Sequence, residues 1–150
     1  MKRNILSAIV LLFSVTIMAQ SAGDIALAKS GMTIERKAVF SQNMNLSDDD
    51  SKLFWPIYEE YETKKSVTFE TSLKNMMDIA ENFESMTDEK ATEIINSVMK
   101  KQLTDLKLLN KYQKKISKAL GPKKAFRFVQ IEEQITAIQR IQVLEIPLLD

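Results

Sequence analysis

The chain has 150 residues, 45% of them hydrophobic, with only three glycines and three prolines. That is one domain's worth of chain, with apolar content enough for a core and a bias towards long uninterrupted elements. It contains no cysteine and no histidine. Disulfides, metal sites built on thiolate or imidazole, and serine–histidine or cysteine–histidine nucleophile pairs are therefore excluded.

Lys2 and Arg3 precede an apolar run, Ile5 to Met18, that is too short to span a bilayer. Residues 1–19 read as a signal peptide cleaved near Ala19, with an uncleaved anchor as the other reading. No cysteine follows to carry a lipoprotein anchor. Without Lys2 and Arg3, 19 basic residues face 20 acidic ones. The expected location is the periplasm of a Gram-negative bacterium.

Residues 20–45 read as a lead-in that packs on the later helices. Ile25, Leu27, Met32, Ile34, Val39 and Phe40 follow an irregular helical pattern, and Gly31 argues for a frayed start with a helix from about Thr33 to Asn43. Residues 46–150 form the expected helical domain. Ser47 is an N-cap, and Asp48, Asp49 and Asp50 sit on the positive end of the helix that follows. Phe54, Ile57, Tyr58 and Tyr61 share one face of that helix, flanked by Leu53 and Trp55. Pro56 points away from them. By removing a hydrogen bond to the Lys52 carbonyl it should bend the helix towards the aromatic side. The stripe lapses at residues 62–66 and resumes as Phe69, Leu73, Met76, Ala80 and Phe83, so that the helix runs from about Asp48 to Phe83.

Thr87 caps a third helix, from about Asp88 to Ala119. Its expected seam is Ala91, Ile95, Val98, Met99, Leu106, Leu109, Ile116 and Leu120. Gly121-Pro122 stops one helix and starts the next. The fourth helix, from about Pro122 to Glu145, carries Phe128, Ile131, Ile135 and Ile138 on one side. Phe126, Ile141 and Leu144 lie off that line, which predicts cover on more than one side. The apolar tail, Ile146 to Asp150, should pack down on this molecule or a partner. The fold class is all-α: three to four long antiparallel helices, the second bent at a proline, in a cradle-like dimer.

Charge is segregated. Residues 48–93 hold thirteen acids and five lysines; residues 100–127 hold ten basic residues and one acid, Asp105. Lys100, Lys107, Lys111, Lys114 and Lys118 share one face of the third helix. The plainer reading is a solvated face loosely paired with the acidic helix. The sharper one is a basic ridge for an anionic partner: an acidic sensor domain, lipid head groups at a membrane surface, or acidic stretches of unfolded clients. Export disfavours nucleic acid. The aromatic group Phe54, Trp55, Tyr58 and Tyr61 likewise has two readings, as core anchors or as a partly open curved surface that binds polypeptide.

The aspartate triplet lacks calcium-loop spacing and reads as helix capping. Met32, Met44, Met76, Met77, Met86 and Met99 have no tight repeat, so core filling outweighs a copper role. No cofactor is implied, and no base, nucleophile or phosphate loop suggests an enzyme.

Two helix starts share a pattern: Leu46-Ser47-x-x-Asp50 before Leu53-Phe54, and Met86-Thr87-x-x-Lys90 before Ile94-Ile95. With the signal peptide, the helical composition and the absence of cysteine, residues 46–120 resemble the Spy/CpxP-like periplasmic proteins. Their mark is a repeated leucine-threonine-x-x-glutamine at helix starts; Asp50 and Lys90 stand here in place of the glutamines. The Phe54-to-Tyr58 block and the Phe126-to-Glu132 segment also resemble uncharacterised exported helical proteins described as envelope-stress sensors. The resemblance implies a cradle-shaped antiparallel homodimer that shields unfolded proteins without ATP or restrains a membrane sensor kinase. The leading expectation is a non-enzymatic, chaperone-like protein of envelope stress, binding clients on a curved apolar and basic surface. The alternatives are a regulatory partner of an envelope sensor or anti-sigma system, and a metal binder using carboxylates and methionines.

Overall fold

The computed structural model describes residues 22–143, and side chains between residues 31 and 139 except Ile34. Residues 1–19, expected to be a signal peptide, Leu144, the side chain of Ile141 and the tail 146–150 lie outside the described residues. Four helices follow in order: α1 (Ala22–Asn43), α2 (Asp48–Asn82), α3 (Asp88–Leu120) and α4 (Pro122–Val143), with a 3-10 turn at Phe83–Ser85. Among the described residues there is no strand, and the fold is all-α. No described helix is long and apolar enough to cross a membrane.

The boundaries follow from capping chemistry. The Ser47 hydroxyl accepts the Asp50 amide at 3.1 Å, and the Thr87 hydroxyl accepts the Lys90 amide at 3.2 Å. Each satisfies a backbone donor that has no partner within its helix. Gly121 ends α3 at φ 87° and ψ 164°, a backbone region open essentially to glycine alone, and Pro122 starts α4. Pro56 lies inside α2, exposed on its outer side, and the helix is bent. α1 differs from expectation: it runs unbroken through Gly31 from Ala22. A single glycine costs a helix about 1 kcal/mol, which the burial of Met32, Phe40 and Met44 outweighs.

α2 and α3 form a long antiparallel hairpin of 35 and 33 residues. α4 folds back on α3, and α1 lies against α2 and α4. The lead-in segment thus packs on later helices as expected, along a longer helix than its pattern suggested. The core gathers where the four helices meet: Phe40 and Met44 from α1 and its end, Phe54, Tyr58 and Tyr61 from α2, Tyr112 and Ile116 from α3, and Ala125, Phe128, Ile131 and Ile135 from α4. Its rings touch in tilted and edge-on pairs, Phe40–Tyr58 at 4.8 Å and Tyr61–Phe128 at 5.2 Å between centroids. Such geometry sets the positive ring edge against a negative ring face. Lys124 donates to the Asn45 carbonyl and pairs with Asp50, while Arg127 donates to the Asn43 carbonyl at the end of α1. The start of α4 is thereby clamped to the α1–α2 connection, where Asn45 adopts a left-handed φ of 52°.

Beyond the aromatic end, the hairpin is held differently. Thr68 donates to Asp105 at 2.6 Å, and Lys65 and Lys101 both reach the same carboxylate at 2.9 Å. Further out, Ser97 donates to Asn75 at 2.7 Å, and Lys90 approaches Asp78 at 3.6 Å. The seam between α2 and α3 is therefore polar through its middle. The expected seam holds in part. Ile116 is buried and Leu109 and Leu120 pack against the core, whereas Ile95, Met99 and Leu106 face outwards and the buried places go to Ile94 and Tyr112. Phe126, expected to be covered, is 64% exposed.

Candidate functional site

The four aromatic residues singled out from the sequence do not form an open surface. Phe54, Tyr58 and Tyr61 are fully enclosed, and Trp55 is half-buried at the rim, edge-on to Phe54 and Tyr58 with the Lys37 ammonium over its ring. α1 and α4 cover the cluster, through Phe40 against Phe54 and Tyr58 and through Phe128 against Tyr61. A client cannot touch side chains that two helices already cover.

Beside the aromatic cluster lies a buried charge cluster that no local sequence pattern announces. Arg36 of α1 donates through Nε to both oxygens of Glu62 at 3.1 and 3.0 Å, and through Nη2 to Glu132 of α4 at 2.5 Å. The Tyr58 hydroxyl donates to Glu62 at 3.1 Å. Arg36, Glu62 and Glu132 are each at most 5% exposed. Burial pushes the Glu62 carboxyl above its usual range, and the Arg36 charge opposes that rise only in part. Burial also pushes both tyrosine hydroxyls upwards, with carboxylates nearby adding to it. One guanidinium between two carboxylates locks α1, α2 and α4 into register. Its atoms are engaged with one another, and among the described residues no buried side-chain polar atom lacks a partner.

A cavity of about 30 Å³ adjoins this cluster, lined in part by Met32, Arg36, Glu62, Lys65, Lys101 and Gln139. It has room for a water molecule or so and nothing larger. Among the described residues, no three acidic side chains converge as a metal site would require. The methionines are dispersed: Met32 and Met44 are buried in the bundle while Met99 faces solvent.

The surface that remains is the outer side of α3. Ile95, Met99, Leu103 and Leu106 are 57, 54, 58 and 63% exposed. Their spacing places them in one line about 16 Å long, on the side away from the Lys101–Asp105 seam. Leu103 was not among the residues expected to matter. About a quarter turn further round stand Lys100, Lys107, Lys111, Lys114 and Lys118, all exposed. Lys111 lies 5.5 Å from the Tyr112 ring, whereas Lys100, Lys107, Lys114 and Lys118 make no salt bridge within the described residues. Neighbouring lysines behave otherwise: Lys101 pairs with Asp105, and Lys115 reaches Glu60 at 2.5 Å. The ridge and the aromatic cluster are thus separate, one outward on α3 and the other interior. Comparison with protein-family models, characterised proteins and solved structures finds no match to this chain.

Proposed function

We propose that this is a non-enzymatic, exported helical protein that binds unfolded or partner polypeptides on the outer face of α3. The observation that supports this reading is the line of Ile95, Met99, Leu103 and Leu106, each more than half exposed, running beside five exposed lysines. Single exposed apolar residues are commonplace, but an aligned row of four rimmed by cations suits extended or amphipathic chain with acidic flanks. Among the described residues, the buried carboxylates of Glu62 and Glu132 are tied to Arg36. The periplasmic, chaperone-like role in envelope stress is part of the same proposal and draws on the charged and apolar character of residues 1–19.

The test is suppression of aggregation of a denatured or reduced client by the purified protein at stoichiometric ratio. Leu103→Asp plus Leu106→Asp, at exposed positions, should leave the helical spectrum intact and abolish suppression. Unchanged suppression by this variant removes α3 as the binding face. A second reading, a regulatory contact with an acidic sensor domain, is favoured by Lys107 and Lys114, which make no salt bridge among the described residues. Lys107→Glu plus Lys111→Glu should then abolish capture of one defined acidic domain.

A further inference from the structure

The surroundings of α3 come in a fixed order around its axis, in steps of about a quarter turn. First is the seam with α2, through Ser97 and Asp105. Next is the core side shared with α4, where Leu109, Ile116 and Leu120 point. The apolar stripe follows, and then the lysines. α4 therefore lies immediately beside the stripe. It runs back along α3 from the turn at Gly121, and its Gln139 lines the same cavity as Lys101. Val143, about one helical turn beyond Gln139, is thus level with Ser97, where the stripe begins.

Leu144-Glu145-Ile146-Pro147-Leu148-Leu149-Asp150 follow Val143 in the sequence. A helix does not run on smoothly through Pro147, whose ring removes the hydrogen bond to the Val143 carbonyl. In extended chain Leu144, Ile146 and Leu148 fall on one side at intervals of about 6.6 Å. Residues four apart on a helix, such as Ile95, Met99 and Leu103, rise by about 6 Å. Seven extended residues reach about 23 Å, against about 10 Å between packed helix axes. The order also matches: apolar residues come first and Asp150 last, as the stripe precedes the lysines on the way round from α4. Lys100 and Lys107, on that far side, make no salt bridge within the described residues. From sequence alone the segment could pack on this molecule or on a partner. We infer that residues 144–150 occupy the exposed stripe of their own chain, lying across Met99 and Leu103 with Asp150 at the lysines. Resting on the reading of this face as a polypeptide site, the segment is then a tethered competitor for it, apolar and bounded by acids as a client would be. A short linker sets an effective concentration of about 1 mM, so a segment that binds at about 0.1 mM fills its stripe about nine-tenths of the time and weakens a competitor about tenfold.

The experiment uses the whole protein, which has no cysteine of its own. Leu103→Cys plus Leu148→Cys should oxidise within one chain at low micromolar concentration and run as a single chain on a non-reducing gel. Leu53→Cys plus Leu148→Cys should not, because Leu53 is exposed at the aromatic end of α2, about 20 Å further along the bundle. Without added cysteines, the amides of residues 144–150 should exchange about tenfold more slowly in wild type than in Leu103→Asp, with the helical spectrum checking the fold of each variant. A cross-link that forms only between chains, one that forms as readily to Leu53→Cys, or exchange equally fast in both proteins overturns the docking and leaves the stripe to a client or a second copy. Leu148→Asp plus Leu149→Asp should free the stripe and lower the concentration that half-protects a denatured client about tenfold. Equal protection by wild type and this variant overturns the competition. A chain that cross-links as expected while neither protein protects a client sinks the client reading alone. A chain that protects clients without forming the cross-link sinks the docking alone.

Discussion

Replacing Arg36 by methionine tests the buried charge cluster most directly. Methionine keeps much of the length and apolar stem but leaves Glu62 and Glu132 facing each other without a cation. Arg36 is 4% exposed and holds Glu62 at 3.0 Å and Glu132 at 2.5 Å. Removing one member of such a buried network costs about 3–5 kcal/mol. Against a total stability of about 5–15 kcal/mol that is a large share, and it should lower the melting temperature by on the order of 10 °C. The deficit should depend on pH. In the variant Glu62, already raised by burial, loses the guanidinium that favours its ionised form, so the folded state binds more protons than the unfolded one. Stability contributed by a carboxyl of raised pKa is present below the ordinary glutamate range and is lost as pH rises through the folded value. Urea unfolding at about pH 7.5 and about pH 5 should therefore show the deficit shrinking in acid. Combining Arg36→Met with Glu62→Leu and Glu132→Leu should cost less than Arg36→Met alone, because no charge is then left buried. A deficit below about 1 kcal/mol, or one equal at both pH values, would refute the view that these three groups form a buried ionic lock.

Further outcomes are expected. Gly31→Ala, at a helical position where a new methyl group meets nothing within 4 Å, should raise stability by about 0.5–1 kcal/mol. Gly121→Ala should lower it by about 1–3 kcal/mol because of the φ of 87°; thermal melts of both variants check the pair. Burial alone would raise the Asp105 carboxyl, but Lys65, the Thr68 hydroxyl and Lys101 outweigh it and hold the group below its usual range. Its contribution is present above the ordinary aspartate range and lost as pH falls through the lowered value. Asp105→Asn should thus cost about 1–3 kcal/mol near neutrality, with urea curves converging on wild type in acid. Ser47→Ala and Thr87→Ala should each cost about 1 kcal/mol by the same measurement.

Much of the fold is legible in the sequence because it is written locally. Ser47, Thr87 and Gly121-Pro122 announce helix ends through their own side chains or backbone, and the observed boundaries agree with them to within a few residues. The face that α3 turns inwards is not legible in this way. Periodicity assigns the most apolar line, Ile95, Met99 and Leu106, to the helix partner. The partner actually meets Ser97 and Asp105, whose polarity is matched by Asn75, Lys65 and Thr68, some 20 to 40 residues away in the middle of the hairpin. Matching of that kind lives in the register between two helices and leaves no trace in the pattern of either one. Arg36 is a stronger case, since its burial makes sense only once Glu62 and Glu132 arrive from two other helices. The aromatic group was legible as a cluster, but whether it faced solvent depended on α1, which Gly31 made look frayed. The lysine ridge needed no partner to be read, and all five side chains are exposed on one face as expected.

The polar middle of the α2–α3 hairpin has a consequence for how the molecule would be watched as it unfolds. Trp55, the sole tryptophan, sits against the aromatic end and is blind to residues 70–100. Hydrogen bonds and ion pairs at the edge of solvent resist local opening less than interlocked rings do. The outer hairpin should therefore open first, lowering the far-ultraviolet helical signal while tryptophan emission holds steady. Two optical melts of one domain would then fail to superimpose, and their separation would measure how far the aromatic end outlasts the rest.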